Sequence, residues 1–420
     1  ADSHARSYRT SAVAGSSLVD QFEQLTGKSV DVKLLNTSAL NVRLAGIMDR
    51  QATDDDCPDL VEIEIGDIGR YFRAPADQVG FVPLDGYIDR LGWRERLIAA
   101  RLAPWTHDGV LFGIPHDVHP VSITYRKDLF DQAGVDLAGA RTWEEFHRNC
   151  LEFQQYWAAR GYPKRRAMEL PASSADYLSA LLLARGVNLV EDGDDVRLAD
   201  PAVARTIAFY ARLVAGEESI AADATPGAQL WMRDFARGDL CALITPDWRA
   251  GMLKLGAPAL SGKVAMMPLP RFNATDAPTS TWGGTMIGIP RASRHPSAAF
   301  ELAMFLYSSP QGVEARWRDA MILPPVVDLW NSAALREPDP FFGGQRVGEL
   351  YIELARRIPR RHVSPFSSIA TGALASTLSR AVELAEDGAS DAEIEAACRL
   401  WLSDAQRSLQ RIVDFSRSEP

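Results

Sequence analysis

Along residues 16–27, "SSLVDQFEQLTG", apolar positions recur every three to four residues. Leu18, Val19, Phe22 and Leu25 share a face, Ser16 or Ser17 is placed to cap it, and Gly27 stops the helix. "SVDVKLLN" then alternates, with Val30, Val32 and Leu34 on one side of a predicted strand, and "LNVRLAGIMDRQA" returns to helical spacing. "PDLVEIEI" reads as a strand that ends in Gly66-Asp67. "VLFGIP" and "VSITYR" read as two strands separated by the polar insert His116-Asp117-Val118-His119. A long helix opens at "TWEEF", where Thr142 and Glu145 have the spacing of a capping box. Further helices are predicted at 175–185 and 201–215, a strand at "LCALIT", and a helix with Asp247-Trp248 at its start. "KVAMMPLPRF" gives another strand. "TWGGTMIGIP" gives a short one through Ile287 and Ile289, ended by Pro290 and followed by a helix that Ser293 or Ser297 can cap. From about residue 345 the text is nearly all helical, broken at "IPRRHVSPF". This alternation of strands and helices is that of a layered α/β protein, in which ligands sit beyond the C-terminal ends of strands. Glu64 and Asp67 fall at such an end.

A chain of 420 residues is too long for one simple core, so two domains are expected. No long linker separates them, which suggests that the chain passes between the two several times. With 46% apolar and 24% charged residues the composition is globular. A formal charge of −10 argues against nucleic acid, since the one dense basic stretch, "RRIPRR", is a local cluster in an acidic chain. No apolar run is long enough to span a membrane. The opening "ADSHARSYRT" has no apolar core of its own; its Ala-Asp start suits a chain from which a signal peptide has been removed. Cys57, Cys150, Cys241 and Cys398 are too far apart for a CxxC or zinc pattern and read as free thiols, mostly buried.

Phosphate cradles, the GxSxG elbow and HExxH are all absent. His116 and His119 resemble a metal pair, but Pro115 and Pro120 bracket them in extended chain and no further His or Cys cluster exists, so no metal is expected. Glu64 and Asp67 suit either acid–base catalysis or bidentate hydrogen bonds to hydroxyls. The ten tryptophans are more telling. Trp143 and Trp401 lie in helical periodicity and read as core, whereas Trp248 and Trp282 stand at junctions between turns and regular elements. Trp282 precedes Gly283-Gly284, an aromatic plate beside bare backbone. Flat aromatics with carboxylates and hydroxyls suit the apolar faces and hydroxyl rims of sugar rings.

"LVDQFEQLTGKSVDV", "CPDLVEIEIGD", "DGVLFGIPHDV", "TYRKDLFDQAGV" followed by "TWEEF", "FARGDLCALITPDW" and "TWGGTMIGIPRASRHPSAAFELAMFL" occur in one order over roughly residues 16–330. In this the chain resembles the carbohydrate-type extracellular solute-binding proteins of bacterial ABC importers, the maltose-binding-protein-like family. The resemblance implies the type II periplasmic-binding-protein fold: two α/β lobes, each a sheet flanked by helices, with a cleft between them. It implies a first lobe of 1–119 plus 282–323 and a second of 120–281 plus 324–420, with crossings near 118–123, 278–283 and 322–328. Carried over by position, the ligand contacts fall on Glu64, Asp67, Asp117 and His119. They continue at Asp176 and Tyr177 on a loop before a helix at 178–185, then at Asp247, Trp248, Trp282, Gly283 and Phe366.

The implied protein is a periplasmic monomer without cofactor or catalysis. It captures a carbohydrate-like small molecule and delivers it to a membrane permease. Two departures bear on the ligand. Arg126 stands where the family has Asn, and the first strand, "ARSYRTSA", is polar enough to bring Arg9 or Ser11 towards the cleft. An arginine there would favour an anionic sugar derivative or a glycerophosphodiester. A two-lobed carbohydrate-active enzyme using Glu64, Asp67 or Asp117 is the alternative from another class.

Overall fold

The computed structural model describes His4, Tyr8, Arg9, residues 15–50 (without the side chains of Asp49 and Arg50), 57–227 and 229–418. The chain divides into two units. The first takes the described residues up to His119 and then Gly283–Glu337; the second takes Pro120–Trp282 and then residues from Pro338 onward. Six strands build the two main sheets: β1 (Val61–Glu64), β2 (Ile114–Pro115), β3 (Val121–Tyr125), β4 (Ala242–Pro246), β5 (Ala265–Pro268) and β6 (Thr285–Gly288).

In the first unit β6 is central, antiparallel to β1 on one side (Val61 opposite Gly288, Glu64 opposite Thr285) and to β2 on the other. Val61 and Ile63 of β1 are buried, Glu62 on the opposite face is half-buried and Glu64 is exposed. The helix Leu18–Thr26 packs Leu18, Val19 and Phe22 against this unit. Ser17 forms a capping box with Asp20, and Gly27 closes the helix in the left-handed region.

The predicted strand at 29–36 does not form. Val30, Val32 and Leu34 instead line a cavity of about 810 Å³ shared with Val61 and Ile287, and the Val30 N–H donates to the Glu23 side chain. Alternation marks a covered face, but a strand also needs a backbone partner, and this segment has none in either sheet. Most of the expected strand "ARSYRTSA" lies outside the described residues; Tyr8 and Arg9 within it are helical. The helix Pro296–Ser308 starts with Pro296 at its first turn. Its cap position is His295, and Ser293 serves instead to accept the His295 N–H.

Residues 324–337 belong to the first unit, where the sequence reading had placed them in the second. Backbone bonds from Val118 to Leu323 and from Ile98 to Pro325 hold this stretch. The Trp330 indole donates to the Pro324 carbonyl, and Arg96 pairs with Asp328 at 2.5 Å. Trp282, by contrast, belongs to the second unit.

In the second unit β3 is central, antiparallel to β4 and to β5, and every residue of β3 and β4 is buried. Both mix apolar residues with Ser122, Thr124 and Thr245, whose buried hydroxyls bond one another across the pair. Around them pack the helices Trp143–Ala158, Ala175–Ala184, Pro201–Val214, Ser367–Glu386 and Asp391–Ser418. Thr142 and Glu145 form the capping box that their spacing predicts. Trp143 is buried, and Trp401 packs on the core beneath the Arg380 guanidinium. Cys150, Cys241 and Cys398 are free thiols. All three are buried, Cys57 is half-buried, and burial pushes the Cys241 thiol up to about 12. Among the described residues no helix is long and apolar enough to cross a membrane.

Candidate functional site

In the second unit three rings from distant parts of the chain meet. Tyr177 lies in the first turn of the helix Ala175–Ala184, Trp248 in the first turn of the helix Asp247–Gly256, and Trp282 ends the unit's passage before Gly283. The Tyr177 and Trp282 centroids are 4.5 Å apart at 64°, those of Trp248 and Trp282 6.1 Å apart at 76°. Both are the edge-to-face contacts that aromatic quadrupoles favour. The Trp248 Nε1–H donates to the Trp282 carbonyl at 3.2 Å. Tyr177 is buried, while Trp248 and Trp282 each keep part of the ring accessible.

A buried ion pair braces these rings from behind. Arg249 donates to both oxygens of Glu169, at 2.9 and 2.7 Å, and to the Ile244 carbonyl. The Tyr177 hydroxyl donates to the same carboxylate at 3.1 Å, so one acid holds both the guanidinium and the phenol. Burial raises the Tyr177 phenol well above its usual range, against the pull of Arg249. The Arg249 guanidinium also lies 4.3 Å from the Trp231 ring centroid. The sequence reading missed Glu169, Arg249 and Trp231. One signal was available: a Glu between apolar residues in "AMELP" requires a cationic partner once buried.

Asp247 is fully buried, and its side chain accepts the Trp248 N–H at 2.7 Å at the start of the helix that presents Trp248. Asp176 and Tyr177 lie within the helix rather than on a loop before it. Asp176 is exposed, and Phe366 is half-buried on the core at the foot of the helix Ser367–Glu386. Arg126 is buried, donating to Asp128 through two nitrogens and to the carbonyls of Phe235 and Ala236. Its charge has a structural use inside the unit.

The first unit holds the remaining predicted residues. Glu64 is exposed, and Asp67 is half-buried in an ion pair with Arg70 at 2.6 Å. Asp117 is fully buried, paired with Arg101 at 2.8 Å and His119 at 3.1 Å, approached by His116 at 3.3 Å, and accepts the Thr285 N–H at 3.0 Å. Burial opposes its charge, but His119, His116 and Arg101 outweigh that and hold the carboxyl well below the usual range. His119 faces Asp117 with its backbone at φ +54°, a left-handed conformation uncommon outside glycine. The glycine pair has a local cause as well. Gly284, at φ +140°, lies so close to Arg101 that a Cβ would sit 2.0 Å from a guanidinium nitrogen, while Gly283 is left-handed at φ +82°. The bare backbone after Trp282 thus makes room for a side chain of its own fold.

A family model described as bacterial extracellular solute-binding protein matches residues 10–313. An arabinooligosaccharide-binding protein of Halalkalibacterium halodurans is 22% identical over 319 residues, covering 74% of this chain and 68% of that protein. Its namesake in Bacillus subtilis is 23% identical over 288 residues, covering 68% and 64%. The chain therefore spans about two thirds of the length of these relatives. Among solved structures, the sugar-binding protein MalE of Xanthomonas citri superposes with a TM-score of 0.75 at 19% identity, covering 94% of this chain and 95% of that one, which shows a shared fold.

Proposed function

Because the chain belongs to the family of bacterial extracellular solute-binding proteins, we propose that it captures a neutral carbohydrate outside the cytoplasmic membrane, in the periplasm, and hands it unaltered to the permease of an ABC importer. The observation that carries this reading is the ring group of Tyr177, Trp248 and Trp282, two of whose members remain partly accessible. Indole faces match the apolar C–H faces of pyranose and furanose rings. Asp176, exposed one residue before Tyr177, is the nearby acid suited to sugar hydroxyls. The family consists of solute-binding proteins, and the chain's carboxylates agree with capture rather than turnover. Of the three considered for acid–base work, Asp117 is shut off from solvent, Asp67 is paired with Arg70, and Glu64 stands exposed. A neutral ligand is preferred over an anionic one because Arg126 is occupied by Asp128 and backbone carbonyls.

The test is calorimetric titration with arabino-oligosaccharides, lactose and malto-oligosaccharides, with the intrinsic fluorescence of Trp248 and Trp282 as a second readout. Saturable one-to-one binding of a neutral saccharide, recovered intact and weakened in Trp248→Ala, supports the reading. Binding confined to anionic sugars, or release of cleaved product, overturns it.

A further inference from the structure

The first unit contains a buried group of side chains that solute capture does not use. We propose that His4, Glu62 and His116 form a binding site for a divalent transition-metal ion of the zinc class. Each offers one ligand atom, and the three atoms lie within 4.8 Å of one another. His4 Nδ1 is 3.0 Å from Glu62 Oε2, and the His4 and His116 rings stack with centroids 3.8 Å apart at 29°. The other Glu62 oxygen accepts hydroxyls from both Tyr8 and Tyr307, each at 2.6 Å, which fixes the carboxylate plane.

The second observation is the state of His116. The residue is fully buried. Its Nδ1 faces Asp117 Oδ2 at 3.3 Å, while its Nε2 is buried without a hydrogen-bond partner. A carboxylate on one imidazole nitrogen selects the tautomer whose lone pair lies on the other. That is the outer-shell arrangement of histidines that ligate metals. A fully buried nitrogen without a partner is costly, and an ion would satisfy it. Two imidazoles with one carboxylate suit zinc and its neighbours over calcium or magnesium, which prefer oxygen alone. Tetrahedral zinc holds its donors ~2.0–2.1 Å away and so ~3.3 Å from one another, close to the present His4–Glu62 separation, with water as the fourth ligand.

These residues come from positions 4, 62 and 116, so no local motif links them. Pro115 and Pro120 argue against a His116–His119 pair, and the structure couples His116 to His4 instead. An ion here would fasten the segment carrying His4 and Tyr8 to β1 and to the residue before Asp117. The site belongs to the first unit and shares no residue with the ring group of the second, so its failure would leave the reading of sugar capture standing.

The test uses the full chain without a polyhistidine tag, stripped with a chelator and titrated with zinc chloride. One zinc per chain is expected, with a melting temperature raised by zinc and not by magnesium or calcium. His4→Ala should keep the far-ultraviolet circular dichroism of the parent and lose at least tenfold in zinc affinity. Cobalt(II) should give the intense visible bands of a tetrahedral site in the parent and lose them in His4→Ala. Glu62→Gln and His116→Asn should weaken zinc likewise; should either fail to fold, His4→Ala alone carries the test. Absence of one-to-one zinc binding overturns the proposal, leaving a plain histidine–carboxylate pair. Zinc affinity unchanged in His4→Ala overturns it too, and places the ion on other histidines.

Discussion

Among the described residues, Arg249–Glu169 in the second unit and Arg101–Asp117 in the first are arginine–carboxylate pairs with both partners buried, and the two hold different things. In the second unit Arg249 and Glu169 stand behind Tyr177 and, through the helix that carries Arg249, behind Trp248. In the first, Arg101 and Asp117 hold main chain: the Asp117 carbonyl accepts from Arg101, its carboxylate receives the Thr285 N–H, and Gly284 leaves room for the guanidinium. Burying such a pair brings little net stability, because desolvation offsets the attraction. What it provides is orientation. One pair orients rings that a ligand can meet; the other orients the turn that leads into β6.

The largest effect expected from this contrast is on stability. Asp117→Ala strands the Arg101 charge in the interior and should cost about 3–5 kcal/mol in urea denaturation; a cost below that of a surface change would break the comparison. Next comes Glu169→Gln, which keeps the shape but weakens the bonds to Arg249 and Tyr177. A loss of about 1–3 kcal/mol is expected, accompanied by weaker saccharide binding because Tyr177 is no longer held. Trp248→Ala should leave the melting temperature nearly unchanged and reduce binding by about 1–3 kcal/mol by calorimetry; full affinity would remove the rings from the site. Thr142→Ala removes a helix cap that belongs to neither pair and should cost about 1 kcal/mol of stability without touching affinity. Smallest is Arg126→Lys, whose effect on binding should lie within about 0.5 kcal/mol, since the side chain serves Asp128 and two carbonyls; a large loss would restore an anionic ligand.

What was legible in the sequence was local. Ser17 and the Thr142–Glu145 pair encode helix caps within a few residues, and the spacing of Leu18, Val19 and Phe22 encodes the face that the first helix buries. Trp248 and Trp282 stood out because they interrupt such patterns, and the fold brings them together. What escaped was whatever a distant residue decides. Asp117 is a candidate contact by its position in the family's pattern, and nothing in the local sequence shows that Arg101, sixteen residues away, pairs with it in the interior. The failed strand at 29–36 teaches the same point, because alternation states which face is covered and not which chain pairs with it. The placement of 324–337 was equally hidden, resting on bonds to Arg96, Ile98 and Val118.

The two indoles of the second unit are chromophores as well as surfaces. Their centroids are 6.1 Å apart with planes at 76°, and one N–H is tied to the other residue's carbonyl. Transition dipoles this close and this skewed couple strongly, giving a paired signal in near-ultraviolet circular dichroism that neither ring produces alone. Any guest that tilts either ring will therefore announce itself optically, with no dye attached.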